Sequence, residues 1–398
     1  MTKNYNLVRL GDLCDSISGL WTGKKPPFEK ATVIRNTNFT KDCKLDLSNV
    51  AVLDVETKQL QSRRLMPGDL IVEKSGGGPN QAVGRVVHFN ESVGTYSLSN
   101  FTSALRIKNS SEAIPKYLQH FLYYQYISGV TETMQSNSTG IRNLNIHQFL
   151  DIEIPLPSIE KQLEIVEKLD SAFADIYFLE RNVKLGNEKI DQLFESLISS
   201  AFTPNRSGIK QNHSQLNDSN SWHEVSLKEL CKVDWGNTKL TKSSYVANGT
   251  FLAVSASGAD GRIDYYEHES NVPVLSAIGA QCGKMFYPNE KFTAIKNTIT
   301  LTPKTGMADG KFLYYLFSHV ELPQRGAGQP FISKGDIEAF RVEVPINLKE
   351  QQEIVQKLDD LLVKIELLKS QYKKEIDQAS ALRQSLLNSA FTLEEEVA

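Results

Sequence analysis

Hydrophobic positions along this chain recur with a helical period in two separate stretches. In the first, Ile165, Leu169, Ala172, Ile176, Leu179 and Val183 are followed by Ile190, Leu193, Leu197 and Ala201, mostly in steps of four and three. The second runs Ile354, Leu358, Leu361, Ile365, Leu368 and Tyr372, then Ala379, Leu382, Leu386 and Ala390. So narrow a stripe is the seam of a coiled coil and predicts two helices, each of about 40 residues and about 60 Å. Gly186 and Glu375 interrupt the stripes at equivalent places, each at some cost in stability and each a predicted site of a local bend. Pro155 and Pro157, and Pro345 in the second stretch, end the preceding strands and set the helix starts. The remaining pattern is of short β-type runs, among them Val50–Leu53, Asp69–Val72, Gly84–Phe89, Val272–Ile278 and Ala294–Leu301, separated by Gly, Asn and Pro turns. Pro204–Ser221 has almost nothing apolar to bury and reads as a linker.

The two stretches are copies of each other. Residues 160–203 align without a gap to 349–392, with 17 identities in 44 positions. QxEIVxKLD occurs at Gln162–Asp170 and at Gln351–Asp359, and SAFT closes both copies at Ser200–Thr203 and Ser389–Thr392. Upstream, Ile152-Glu-Ile-Pro155 matches Val342-Glu-Val-Pro345, Leu10–Cys14 matches Leu227–Cys231, and Lys116–Tyr124 resembles Lys311–Phe317. A repeat on this scale organises the whole fold. It predicts an α+β domain over 1–157, a helical region over 158–203, a linker over 204–221, a second α+β domain over 222–348 and a second helical region over 349–398. Both helices are long for a globular domain and both use a 3.5-residue period, which favours their pairing with each other over packing on their own domains. A chain that runs out along one and back along the other makes the pair antiparallel, with a globular part at each end. Charged flanks such as Glu164, Lys168, Asp175, Glu353, Lys357 and Lys364 then face outward.

Composition narrows the class. With 40% hydrophobic and 23% charged residues the average is that of a soluble globular protein. Four cysteines without a CxxC pair argue against a disulfide framework and a structural zinc site, and no run approaches a membrane span. The chain reads as cytoplasmic. Its net charge of −3 is unevenly distributed: residues 1–157 carry +3 and 204–348, linker and second domain together, +1, while 158–203 carry −4 and 349–398 −3. A DNA-binding surface would therefore be made of local patches on the domains.

The two variable domains, each closed by an Ile-x-Ile-Pro-type strand and followed by a helix bearing QxEIVxKLD and SAFT, resemble the specificity subunit of Type I restriction-modification systems over essentially the whole chain. The resemblance implies that each globular domain reads one half of a split, asymmetric duplex DNA target while the paired helices fix the gap. It also implies partners: two modification methyltransferase subunits on the helical region, and restriction motor-nuclease subunits for cleavage. S-adenosylmethionine, ATP and Mg²⁺ are then expected on those partners and no cofactor in this chain. The other function class compatible with the residues is a coiled-coil interaction adaptor without a DNA role, favoured by the acidic net charge alone.

No motif in the chain supplies chemistry. Lys25-Pro-Pro-Phe28 lacks the amide or carboxylate with which a methyltransferase would hold a flipped base, and reads as a surface loop. Gly279–Lys284 is one residue short of a phosphate loop and is followed by Met285 instead of Ser or Thr. Asp69 and Glu73-Lys74 belong to a turn and a buried strand. The seven histidines show no metal-ligand spacing. The aromatic run Tyr117–Tyr126, echoed at Phe312–Phe317, reads as a core-packing helix. Polar and basic residues in Gly-rich loops remain as the candidate DNA contacts, because such loops can approach base edges and phosphates closely. In the first domain these are Trp21, Lys24, Lys25, Arg35, Asn36, Asn38, Lys74, Ser75, Asn80, Gln81, Arg85, Arg142 and Asn143. In the second they are Lys239, Lys242, Ser255, Ser257, Arg262, Gln281, Lys284, Lys296, Asn297, Arg325, Gln329 and Lys334.

Overall fold

The computed structural model describes residues 6–21, 25–78, 81–138, 140–202 and 222–392. Lys24, Asn80 and the linker 204–221 lie outside these residues. Setting aside helices of seven residues or fewer, the chain begins with strands β1 (Asn6–Arg9), β2 (Cys14–Ser18), β3 (Phe28–Ile34), β4 (Ala51–Glu56), β5 (Leu70–Glu73), β6 (Ser75–Gly76), β7 (Val86–His88), β8 (Tyr96–Leu98) and β9 (Thr102–Ile107). Helix α1 (Pro115–Ile127), strands β10 (Gln135–Ser138), β11 (Ile141–Leu144) and β12 (Glu153–Leu156), and the long helix α2 (Ile159–Ala201) complete the first half. The second half runs β13 (Trp222–Ser226), β14 (Cys231–Trp235), β15 (Phe251–Ser255), β16 (Gly258–Ile263), β17 (Val274–Ser276), β18 (Met285–Phe286), β19 (Phe292–Ala294), β20 (Thr298–Pro303), α3 (Gly310–His319), β21 (Arg341–Pro345) and α4 (Leu348–Phe391).

The two domains share three sheets strand for strand, and the first domain adds a fourth, β10-β11-β6. The first has sheets β2-β9-β5-β7 and β4-β3-β8 with the pair β1-β12; the second has β14-β20-β17-β18 and β16-β15-β19 with β13-β21. The pairs β3-β8 and β15-β19 are parallel, at matching positions. Side chains on a strand alternate between faces, and here both faces are covered. Leu70 and Val72 enter the core beneath α1, whereas Ile71 enters a second core with Ile34, Phe89 and Leu98. Leu275 and Val274 divide in the same way in the second domain. The run read as one strand over Ala294–Leu301 is two: β19 ends at Ala294 and β20 starts at Thr298, with a turn between them in which Asn297 takes φ 72°. A hydrophobic pattern does not register such a turn, because asparagine tolerates the left-handed region.

Two compact units follow space and not chain order: one joins residues up to Val183 to the chain from Lys374 onward, the other is Lys184–Lys373. In the first unit the glutamine of QxEIVxKLD is fully buried. Gln162 Oε1 accepts from the Ile114 amide at 2.9 Å, and Nε2 donates to Glu112 O at 2.8 Å and Pro157 O at 2.9 Å. Ile165, Val166 and Leu169 enter the domain core, and Asp170 binds Lys116 Nζ at 2.5 Å and His120 Nε2 at 2.9 Å. Those two contacts, His120 foremost, pull the Asp170 carboxyl down to about 2. The tip of α4 occupies the same core: the Phe391 ring lies 5.5 Å from Tyr117 and 5.3 Å from Phe121. The α1 aromatics are thus core-packing residues.

The second unit repeats the arrangement with the helices exchanged. Gln351, also fully buried, accepts from the Asp309 amide at 2.8 Å and donates to Met307 O and Pro345 O. Asp359 binds Lys311 at 2.7 Å and Tyr315 at 2.5 Å. Phe202, at the tip of α2, lies 5.3 Å from Phe312. Asp191 meets Lys369 at 2.5 Å and Gly186 faces Tyr372, so the helices run antiparallel here. The heptad stripe therefore serves helix pairing along part of its length and domain packing at its ends, and it is not a closed seam, since Leu193 and Leu382 are more than half exposed. The helix is not broken at Gly186: α2 is continuous from Ile159 to Ala201. A Cβ at Gly186 would lie 2.8 Å from Tyr372 Cε2, so the glycine is a notch that admits the ring.

Two outcomes test this packing. Replacing Gln162 with Leu strands two carbonyls and one amide, and should lower the stability of the first unit by about 3 kcal/mol in calorimetric unfolding; unchanged melting would show the clamp to be dispensable. Helix propensity alone predicts that Gly186→Ala stabilises by about 1 kcal/mol. The clash with Tyr372 predicts the opposite sign, and in a Tyr372→Ala background the same substitution should become stabilising.

Candidate nucleic-acid interface

In the first domain three loops are tied together at one edge of the sheets. After β3 the chain turns through Asn38, whose Oδ1 accepts from the Arg35 amide at 3.0 Å and whose Nδ2 donates to Asp46 O and Asn49 O. After β5 it enters the glycine-rich loop. There Asn36 Nδ2 donates to Ser75 O at 3.3 Å, and Ser75 Oγ donates to Asn143 Oδ1 at 2.7 Å, joining the β10-β11 hairpin. Arg142 Nε donates to Gly78 O at 3.1 Å. Gly76 and Gly77 have φ 128° and 66°, and a Cβ on Gly76 would fall 2.3 Å from Asn36 Nδ2, so this approach requires glycine.

Beneath the loops sits a buried ion pair. Arg85 Nε and Nη2 each donate to the Glu73 carboxylate at 2.8 Å, and Nη1 donates to Phe39 O at 2.8 Å. Arg85, Asn38 and Ser255 are therefore buried residues that hold loops. At the surface are Trp21, which is 71% exposed, Lys25 and Gln81; Arg35, Asn36, Ser75, Arg142 and Asn143 are partly buried. Lys74 is half-buried, its ammonium has no acidic partner among the described residues, and burial lowers its pKa. A cation so placed favours an incoming anion.

The second domain assembles corresponding loops from backbone bonds. Ala277 N donates to Asn297 O at 2.9 Å, Lys296 N to Leu240 O at 3.2 Å, and Gly279 N to Pro330 O at 2.9 Å. Several cations selected from the sequence are paired internally. Lys242 Nζ donates to Asp260 at 2.6 Å, and that carboxylate also accepts from Tyr245 and Ser255; Ser257 Oγ lies 3.4 Å from the same ammonium. Arg262 binds Glu290 at 3.0 Å, Lys334 binds Asp234 at 3.3 Å, and Arg325 pairs with Asp336. Lys239, Lys284 and Lys296 are exposed and without an acidic partner among the described residues, and Gln281 and Gln329 are exposed beside them in sequence or loop.

Sequence reasoning missed Phe101 and Trp235, which are 41% and 39% exposed at the loop edge. The carbonyl of Phe101 accepts from the Lys74 amide at 2.9 Å, the place that Asn297 takes in the other domain. Trp235-Gly236 stands at the same offset from Ser18-Gly19 as Leu227 does from Leu10, and that offset was the available signal. The acidic residues weighed for chemistry are committed elsewhere: Asp69 holds Arg106 at 2.7 Å and Glu73 holds Arg85. What the loops offer is amides, hydroxyls, aromatic faces and a few free cations, a set suited to hydrogen-bonding and ion-pairing with a large polar ligand.

Known proteins share this plan. The family model described as the Type I restriction modification DNA specificity domain matches residues 2–185 and 219–378. The type I restriction enzyme StySPI specificity subunit of Salmonella potsdam is 24% identical over 368 residues, covering 83% of this chain and 75% of its own. Among solved structures, a chain from a study of complex assembly and conformational transition in the type I R-M system superposes with a TM-score of 0.76 at 19% identity, covering 97% of each chain. The HsdS subunit from Thermoanaerobacter tengcongensis gives 0.58 at 19% identity, covering 97% of this chain and 96% of its own. These two likenesses concern the fold.

Proposed function

The chain belongs to the type I restriction modification DNA specificity family, as a specificity subunit with two target-recognition domains, and from that premise we propose that each domain reads one half of a split, asymmetric duplex DNA target. The observation that carries this reading is the duplicated loop edge, built on two matching sheets in both domains but with different side chains. Two copies of one frame bearing different readers recognise two different half-sites. The adaptor reading without a DNA role has no support from the family.

The chain is a scaffold without catalysis of its own. Methyl transfer belongs to two modification methyltransferase subunits, docked through the charged flanks and exposed apolar positions of α2 and α4, among them Phe178, Leu193 and Leu367. Restriction motor-nuclease subunits join for cleavage, and S-adenosylmethionine, ATP and Mg²⁺ act on those partners. The paired helices set the gap between the half-sites. Among the described residues no helix is long and apolar enough to cross a membrane, and we place the complex in the cytoplasm with the DNA it reads.

Exchanging residues 1–157 for the matching segment of another specificity subunit should alter one half of the methylated motif and leave the other intact. Sequencing of methylated genomic DNA reads this directly, and a change in both halves would sink the two-reader proposal. The purified chain alone should transfer no methyl group to DNA, while addition of the methyltransferase subunits should yield methylation of a defined split motif. Transfer by the isolated chain would contradict the division of labour.

A further inference from the structure

The strand positions that frame the recognition loops can be matched between the domains by their backbone bonds. Glu73 N donates to Arg85 O and Gly84 N to Glu73 O; Ser276 N donates to Lys284 O and Gly283 N to Ser276 O. Glu73 therefore corresponds to Ser276, and Arg85 to Lys284. In the first domain this pair of positions holds a buried bidentate ion pair. The Arg85 guanidinium also reaches Phe39 O at 2.8 Å, Thr40 O at 3.3 Å and Asn36 O at 3.4 Å. From Asn36 the chain of contacts continues through Ser75 to Asn143, so the hub touches or supports all three reading loops.

In the second domain the same positions are arranged oppositely. Ser276 is fully buried and its Oγ has no hydrogen-bond partner, so nothing draws a cation inward. Lys284 is exposed, with no acidic partner among the described residues, at the rim of the loop that carries Gln281. Burying an ammonium without a carboxylate is costly, which keeps Lys284 in solvent. The reading loops are instead braced by Asp260, which accepts from Lys242, Tyr245 and Ser255.

We propose that this one structural position serves two different purposes in the two readers: Arg85, clamped by Glu73, is a positioning residue that sets base discrimination at one half-site, whereas Lys284 is a direct phosphate contact at the other. The inference rests on the DNA-reading function proposed above. An internal guanidinium contributes geometry and little long-range attraction. An exposed ammonium contributes attraction and counterion release and little sequence information.

The test uses the chain assembled with its methyltransferase subunits and duplex libraries randomised in one half-site at a time, with methylation reading base preference and duplex-binding titrations across salt concentrations reading affinity. A wild-type complex that methylates no split motif defeats the DNA-reading function itself, before any variant is compared. Arg85→Lys keeps the charge but loses the bidentate fork; it should relax base preference about tenfold at one half-site only, the half-site that exchange of residues 1–157 alters, with the salt dependence of binding unchanged. Lys284→Gln should keep base preference at both half-sites while the slope of log affinity against log salt becomes shallower by about one. Where Arg85→Lys does not fold, as judged by melting, Glu73→Gln is read in the same way, and unfolding of both makes the pair a stability element and overturns the proposal. Uniform loss of methylation without altered base preference for the Arg85 or Glu73 variant, or an unchanged salt slope for Lys284→Gln, overturns it as well.

Discussion

A buried glutamine amide fastens each long helix to a β-rich domain, and the remaining architecture depends on that attachment. A helix start leaves unsatisfied amides, and the chain entering it leaves carbonyls that must find partners when buried. Gln162 and Gln351 supply one acceptor and two donor bonds each, to backbone groups on both sides of the junction. An apolar residue of equal volume would fill the space and leave those groups stranded. The aspartate eight residues further on adds an ionic contact to the first turns of the neighbouring helix, and the aromatic ring of SAFT plugs the same cores with the tip of the other helix. The three repeated motif positions are thus three fastenings of one joint, which explains why QxEIVxKLD and SAFT stayed alike while the loops did not.

The contrast between fastening and reading residues follows from what each must match. A fastening residue answers to the chain itself, and both halves present nearly the same backbone to it. A reading residue answers to something outside the chain, and the two halves have no reason to agree. The joint nonetheless tolerates one exchange, His120 in the first unit for Tyr315 in the second, because each can hydrogen-bond the aspartate while its ring packs inward. Only polar reach and ring volume are conserved there. At the loop edge, by comparison, an ion pair in one domain stands where a serine and a free lysine stand in the other.

The helices were legible in the sequence because their determinant, a 3.5-residue apolar stripe, is local. The contact that Gly186 makes was not legible for the same reason: its partner Tyr372 is distant in the chain, and a glycine that makes room looks the same as one that weakens a helix. The turn at Asn297 was hidden inside an unbroken apolar run. At the loop edge the sequence pointed to the glycine-rich segments but not to the side chains left free within them. Lys242, Arg262, Arg325 and Lys334 look as available as Lys239, Lys284 and Lys296 until Asp260, Glu290, Asp336 and Asp234 are brought beside them. Ion pairing across 11 to 100 residues of sequence leaves no periodic trace.

That internal pairing bears on how an acidic chain can serve as a DNA reader. Paired cations contribute little to the field outside the domain, since each carries its counter-charge at contact distance and solvent screens what remains. On the DNA-reading proposal, the attraction for a phosphate backbone would come from the unpaired cations of the loops, Lys74, Lys239, Lys284 and Lys296 among them. A reader with many free cations would bind any duplex strongly and discriminate poorly, because phosphate contacts are the same at every sequence. Neutralising part of the loop cations, Arg85, Lys242, Arg262, Arg325 and Lys334 among them, lowers that indiscriminate attraction and leaves more of recognition to amides and hydroxyls held in fixed geometry. On this argument the pairing of Lys242 with Asp260 and of Arg85 with Glu73 serves the specificity proposed for the chain.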